Sequence, residues 1–294
     1  MLDQLIIICG ATLVAFLWGS NFIVINELIV YVGPLNIVAF QFLACWPFLL
    51  FVTRPNNLRL VIWWGLTTGV LQYGFQNLGL AQGISPGIAS VLLQLQAFFT
   101  PMFLSLFFKE RLSPFSLIAL GAGLVGVFIL SSAKGSGEET YVSAVVLLVL
   151  ASISWALGNL AIEKMQRDDV NRSMFSVIVY AGAILSIPMT LWAGLEDGPI
   201  TGRLAVLPSD QYGYLAFLFS FVLIAFFGGY QIWNLLIKHY GGGRIVRYSL
   251  LVPVFGLTVS QIVYGGHLSL GQGMGISLIL LSLVLYRLLE ARGI

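Results

Sequence analysis

Long apolar runs, separated by short polar breaks, repeat along the whole chain. They fall near 4–25, 34–53, 60–81, 86–107, 114–132, 141–162, 173–193, 211–237, 244–264 and 270–288. Each is close to the roughly 20 helical residues that cross a hydrocarbon core. Within each run the apolar residues are continuous rather than alternating, which predicts helices and not barrel strands. The breaks, such as Arg54-Pro55-Asn56-Asn57, are too short to hold a soluble domain, and the longest covers about 194–210. The first run is preceded by Met1-Leu2-Asp3-Gln4, which carries no basic residue. It is also longer than the roughly 7–15 apolar residues of a secretory signal, so it reads as a first span. The pattern predicts an all-α polytopic membrane protein of ten transmembrane helices.

Composition narrows the function class. Apolar residues make up 59% and charged residues 9% of the chain, against roughly 25% charged in soluble domains. Such a chain cannot cover a water-facing surface, so a soluble globular enzyme is excluded. A net charge of +2, with basic residues thinly spread, excludes a nucleic-acid partner. Cys9 and Cys45 both lie in apolar runs and read as buried thiols rather than a disulfide.

Lysine and arginine set the orientation. With ten spans the termini share a side. If that side is cytoplasmic, it holds Arg54, Arg59, Lys109, Arg111, Lys164, Arg167, Arg172, Lys238, Arg244, Arg247, Arg287 and Arg292. Only Lys134 and Arg203 fall outside. Trp63, Trp64, Tyr31, Tyr141, Trp192 and Tyr212 sit at run ends, where interfacial aromatic belts are expected.

The halves also resemble each other. At an offset of 156, Gly87, Leu95, Phe99, Leu112 and Ser113 match Gly243, Leu251, Phe255, Leu268 and Ser269. Trp18 and Asn21 in run one correspond to Trp155 and Asn159 in run six. Five helices are an odd number, so a second copy enters the bilayer upside down, as in many secondary transporters. Lys109-Glu110-Arg111 closes run four, and its counterpart Gly265-Gly266-His267 carries no lysine or arginine, as the inversion requires.

Five segments carry a wider likeness: WGSNF (18–22), GIASVLLQLQAFFT (87–100), KERLS (109–113), SWALGNLAIEK (154–164) and YSLLVPVFGL (248–257). In this order and spacing they resemble the EamA family of the drug/metabolite transporter superfamily, over essentially the whole chain. The resemblance implies two inverted five-helix repeats, here 1–133 and 141–290, in a bacterial inner membrane. It also implies export of amino acids or related small metabolites, such as cysteine pathway intermediates. A drug or nucleotide sugar is the alternative cargo for the same fold.

Polar residues inside spans are costly in lipid and mark candidate pathway positions. They are Asn21, beside Trp18, on span one; Gln72 and Gln76 on span three; and Gln94 on span four. Asn159, beside Trp155, lies on span six; Tyr230, Gln231 and Asn234 on span eight; and Tyr248 and Ser249 on span nine. Together they are expected to line a central cavity that binds a small zwitterion by hydrogen bonds and stacking. The competing reading is simple helix–helix glue. Pro101 and Pro253 lie in aligned spans four and nine and are expected to bend them as gating kinks. Arg244 and Arg247, at the start of span nine, are candidates for attracting an anionic group, with lipid phosphate contact as the rival reading. Glu27 and Glu163 sit near the ends of spans one and six, where interfacial solvation is expected.

Gly65/Gly69 and Gly271/Gly275 form GxxxG pairs for close helix approach. Gly121, Gly123 and Gly126 satisfy GxGxxG, but within an apolar span and without a strand before them, so helix packing explains them. No Walker A lysine loop occurs, which excludes ATP-driven pumping by this chain. His239 and His267 fall in loops and no midspan carboxylate occurs, which argues against an intramembrane enzyme and against a metal. No charged ring or filter-like loop suggests a channel. The expected partners are a small-molecule substrate and the lipid bilayer, with a homodimer left open, and no cofactor is expected.

Overall fold

The computed structural model of the 294-residue chain describes residues 2–109, 114–132, 142–168, 173–241, 245–265 and 268–291. No strand occurs among the described residues. The helical rods are α1 (Leu2–Val32), α2 (Pro34–Phe51), α3 (58–81), α4 (Pro86–Phe108), α5 (Pro114–Ser132), α6 (Val142–Asp168), α7 (Met174–Glu196), the short α8 (Ile200–Ala205), α9 (Gln211–Tyr240), α10 (245–264) and α11 (Leu270–Ala291). Among the described residues, six of these, α1, α2, α4, α6, α7 and α9, are long and apolar enough to cross a membrane. Shorter apolar stretches, Leu117–Leu130, Tyr248–Tyr264 and Leu270–Tyr286, form the body of α5, α10 and α11.

Boundaries shift where local chemistry overrides the apolar pattern. Asn26 and Glu27 look like a helix end, yet α1 continues through Leu28–Val32 and stops only at Gly33, whose φ of 86° breaks the helix. Asp197 then caps α2 from a distance, its Oδ2 accepting from the backbone N–H of Leu35 at 2.7 Å and of Asn36 at 2.8 Å. A carboxylate there satisfies orphan donors and complements the helix dipole. A Cβ on Gly33 would lie 2.6 Å from Asp197 Cγ, so glycine is required twice over. The long 194–210 break is not featureless, because α8 forms inside it.

Two rods organise the rest. α1 packs against α2, α3, α4, α9 and α10, and α6 packs against α3, α4 and α5. The other large contacts are α2 with α7, α4 with α10 and α5 with α11. Small residues allow the close crossings. A Cβ on Gly126 would meet the Gly275 carbonyl at 2.9 Å, and one on Gly275 would meet the Gly126 carbonyl at 2.8 Å. Gly65 lies against Leu185 and Ala181 of α7, and Gly69 against Phe42 of α2.

Regular α-geometry fails at five places, one of them the 3-10 turn Trp46–Phe51 that ends α2. π-helical turns occupy Gly65–Gln72 in α3 and Ile224–Gly228 in α9. In α4, residues 94, 95, 97 and 98 bond three residues back, and in α10 Val246–Leu250 is a 3-10 turn. The tightened turns of α4 and α10 each precede a proline, Pro101 or Pro253. The missing proline N–H leaves no donor for the i−4 carbonyl, which makes these helices easy to reshape there.

Two sequence readings need correction. Trp64 is not in an interfacial belt: it is 2% exposed and its ring sits 6.2 Å from that of Tyr230, whereas its neighbour Trp63, one helical step round, faces outward. Cys9 is exposed on α1, and only Cys45 is buried, under α7 beside the Ile178 carbonyl.

Candidate functional site

The irregular turns surround two adjoining hollows. The smaller, about 40 Å³, is lined by Trp18, Asn21, Phe22, Gln72, Tyr73, Gln76, Leu93, Gln94, Trp155, Tyr230 and Val252. The larger, about 310 Å³, is lined by Gln96, Thr100, Pro101, Asn159, Glu163, Trp233, Asn234, Ser249 and Tyr286 among others. Trp18, Gln94, Trp155, Tyr230 and Val252 border both. The larger hollow lies toward the ends of α4, α6 and α9, as Leu104, Glu163 and Ile237 in its wall indicate. Its volume is in the range of small-molecule sites, roughly 300–1,000 Å³.

An aromatic cluster divides the two. Trp18 and Trp155 meet edge to face at 6.5 Å, and Trp18 stands 5.3 Å from Tyr230 and 5.4 Å from Trp233. Trp18 is held by its indole N–H, which donates to the Ala225 carbonyl at 3.1 Å. Ala225 lies in the α9 π-turn, where the widened helix frees carbonyls for outside donors.

The amides behave differently in the two hollows. In the larger one, Asn159 Nδ2 donates to Gln96 Oε1 at 3.1 Å and Thr100 Oγ1 at 3.0 Å, which ties α6 to α4. In the smaller one, Gln72 Nε2 donates to Gln76 Oε1 at 3.1 Å. Asn21 Oδ1, Gln72 Oε1 and Gln94 Oε1 are buried there and accept no hydrogen bond. Ser249 Oγ, at the α10 3-10 turn, is likewise unpartnered. Buried polar atoms left without partners cost about 1–3 kcal/mol each. Three of the ten such atoms among the described residues belong to residues lining the smaller hollow, where a bound molecule or water can complete the bonding.

Of the residues proposed from the sequence, Trp18, Asn21, Gln72, Gln76, Gln94, Trp155, Asn159, Tyr230, Asn234 and Ser249 border one or both hollows. Pro101 lines the larger hollow, and Pro253 is buried and borders neither hollow. Gln231 is a correction: it is exposed and borders neither hollow, because one helical step from Tyr230 turns it about 100° away. Tyr248 is a second. It packs with the Ile7, Ala11, Leu236 and Ile245 cluster instead. Arg244 and the Arg247 side chain lie outside the described residues.

Several lining residues escaped the sequence reading. Gln96 and Thr100 are one turn apart on α4, a polar i, i+4 pair that was visible beside Gln94. Glu163, which the sequence places at the interface, also reaches the larger hollow, with its Oε1 accepting from Arg167 Nε at 2.8 Å. Tyr73 and Phe22 looked like ordinary core and had no distinguishing signal.

The model of the EamA-like transporter family matches residues 5–132 and 142–288. The "Probable amino-acid metabolite efflux pump" of Salmonella typhimurium is 32% identical over 275 residues, covering 93% of this chain and 92% of that protein. The protein of the same name from Escherichia coli is 31% identical with the same coverage. One solved crystal structure superposes with a TM-score of 0.61 at 18% identity, covering 96% of this chain and 97% of its own, which speaks for the fold alone. A helical bundle with apolar, membrane-spanning rods and a polar hollow at its centre is what such a carrier needs, and on the family match this chain belongs to the EamA-like transporter family of membrane proteins.

Proposed function

We propose that the chain is a secondary carrier that exports amino acids or related small metabolites across the bacterial inner membrane by alternating access. It crosses ten times, as two inverted five-helix halves, 1–133 and 141–290, with both termini cytoplasmic. The observation that carries this reading is the pair of hollows walled by neutral amides and aromatic rings from both halves. Helices from each half contribute, so a rocking motion between halves can expose the hollow to either side.

Three further features support it. Exchanging the halves maps the α1–α10 contact onto α6–α4 and the α3–α6 contact onto α9–α1, while α2–α7 and α5–α11 map onto themselves. The π-turns occupy corresponding rods α3 and α9, and the 3-10 turns that precede prolines occupy corresponding rods α4 and α10, while the 3-10 turn ending α2 has no counterpart in α7. The lysine and arginine distribution favours the larger hollow facing the cytoplasm, since its wall lies beside the rod ends bearing Lys109, Lys164 and Lys238. The substrate class rests on the names of the two relatives.

The hollow then works without a fixed charge pair. A small zwitterion enters from the cytoplasm, reaches the amides past Trp18 and Trp155, and is released when the opposite ends of the rods part. Counterflow in proteoliposomes tests this. Vesicles preloaded with unlabelled amino acids should accelerate entry of the labelled compound. An absence of trans-stimulation for every amino acid and related metabolite tried would remove the carrier reading.

A further inference from the structure

We infer that Glu163 makes the larger hollow a cation-selecting site, which takes organic solutes that carry a protonated amine and turns away those whose net charge is negative. This rests on the transport reading above and names the chemical class that binds.

Among the described residues that wall the larger hollow, Glu163 alone is charged; the rest are neutral. The helix sets it at the end of a graded series. Trp155, Asn159 and Glu163 are spaced i, i+4, i+8 on α6, and all three border the hollow. One face of the helix therefore runs from ring through amide to carboxylate over about 12 Å. Trp18, Tyr230 and Trp233 extend the aromatic end. A solute with its amine at Glu163 lays its uncharged part along Asn159 toward these rings, whose faces also favour a cation over an anion. An anion in the same place meets a carboxylate, with no basic residue in the described wall to offset it.

The nearby basic groups leave this charge facing the hollow. Arg167, one turn further along α6, donates its Nε to Glu163 Oε1 at 2.8 Å. It is not part of the described wall, and its guanidinium carbon stands 4.5 Å from the centre of the Phe108 ring. The Arg167 and Glu163 side chains are 43% and 35% exposed, and ion pairs so open to water are weak. A carboxylate also has about four acceptor positions, of which Arg167 Nε takes one, so an incoming ammonium can share it. Lys109, Lys164 and Lys238 lie at the neighbouring rod ends, exposed and outside the wall, and Lys164 is paired with Asp168 at 2.7 Å.

The rival role for Glu163 is to hold Arg167 in place, and the test separates the two. The full-length protein in detergent at low salt is titrated with three probes each of alanine, leucine and phenylalanine, all of nearly equal size. These are the amino acid amide, a cation; the free amino acid, a zwitterion; and the matching 2-hydroxy acid, an anion. Quenching of intrinsic tryptophan fluorescence reads binding. The amides should bind at least about fivefold more tightly than the hydroxy acids, of the order of one half-exposed ion pair, with the free amino acids between. The gap should narrow in high salt. Glu163→Gln should weaken the amides about fivefold and leave the hydroxy acids no weaker, whereas Glu163→Asp should keep most of the preference. Arg167→Gln decides between the two roles. It removes the competing cation and should tighten the amides, whereas a Glu163 that only anchored Arg167 would make Arg167→Gln act like Glu163→Gln. Equal binding of amide and hydroxy acid, failure of every amide to bind, or like effects of those two variants overturns the cation site. The carrier reading is judged separately, by counterflow of the free amino acids.

Discussion

Trp18 and Ala225 join the two halves through one hydrogen bond, an indole N–H on α1 donating to a carbonyl of the α9 π-turn at 3.1 Å. The ring so placed forms the wall between the two hollows and leaves no room beside it. A Cβ on Gly229 would lie 2.5 Å from Trp18 Nε1, whereas one on Gly228 would have its nearest neighbour at 3.8 Å.

That contrast gives a paired test. Gly229→Ala should displace the indole and reduce counterflow at least about fivefold, of the order expected for losing about 1 kcal/mol of positioning. Gly228→Ala should transport nearly as the parent does. Trp18→Phe, which keeps a ring but orphans the Ala225 carbonyl, should resemble Gly229→Ala. Equal activity in all three would show that the indole position does not matter.

The α5–α11 crossing should depend on the reciprocal Gly126–Gly275 contact. Either glycine changed to alanine forces backbone apart and should cost about 1–3 kcal/mol, read as a lower melting temperature in detergent. Gly121→Ala is the control. Nothing lies within 4 Å of its added methyl, so stability should hold.

Asn159 is a donor to two acceptors on α4, Gln96 and Thr100. Asn159→Asp replaces that donor with oxygens facing oxygens and should harm transport and stability more than Asn159→Leu, which merely leaves the Thr100–Gln96 contact of 3.3 Å in place. Melting curves and counterflow of the two variants decide the order.

At the other end of α1, Tyr264 donates to Glu27 Oε1 at 2.6 Å and accepts from Asn26 at 3.0 Å, bridging α1 and α10 away from the larger hollow. In the proposed cycle this contact holds the outer side shut. An exposed hydrogen bond is worth about 0.5–1.5 kcal/mol, so Tyr264→Phe should shift the resting balance outward roughly two- to tenfold. Labelling of a cysteine placed at Asn234 from the cytoplasmic side should slow accordingly. An unchanged rate would mean the bridge is not a latch.

Much of this arrangement could be read from the chain before its structure. Apolar runs located the helical rods closely because hydrocarbon length is a strong constraint, and intramembrane amides pointed to the hollows because lipid penalises them. Three kinds of detail were hidden. The π-turns in α3 and α9 leave no composition signal, so the freed Ala225 carbonyl and its bond to Trp18 were not foreseeable. Helical phase separated Tyr230 from Gln231 and Trp63 from Trp64, and a list of polar or aromatic residues carries no phase until the helix partners are known. Asp197 capping α2 joins positions more than a hundred and sixty residues apart, from a break that looked like an unstructured link.

The central claim is a hollow between two halves that opens by turns to either side of the membrane. It is tested most directly by placing one cysteine at Asn234, in a background with Cys9 and Cys45 replaced, and labelling it from each side with a membrane-impermeant maleimide. The account predicts labelling from the cytoplasmic side that is slowed by a transported amino acid. Labelling from the outside alone, or a cytoplasmic rate indifferent to every transported compound, would contradict it.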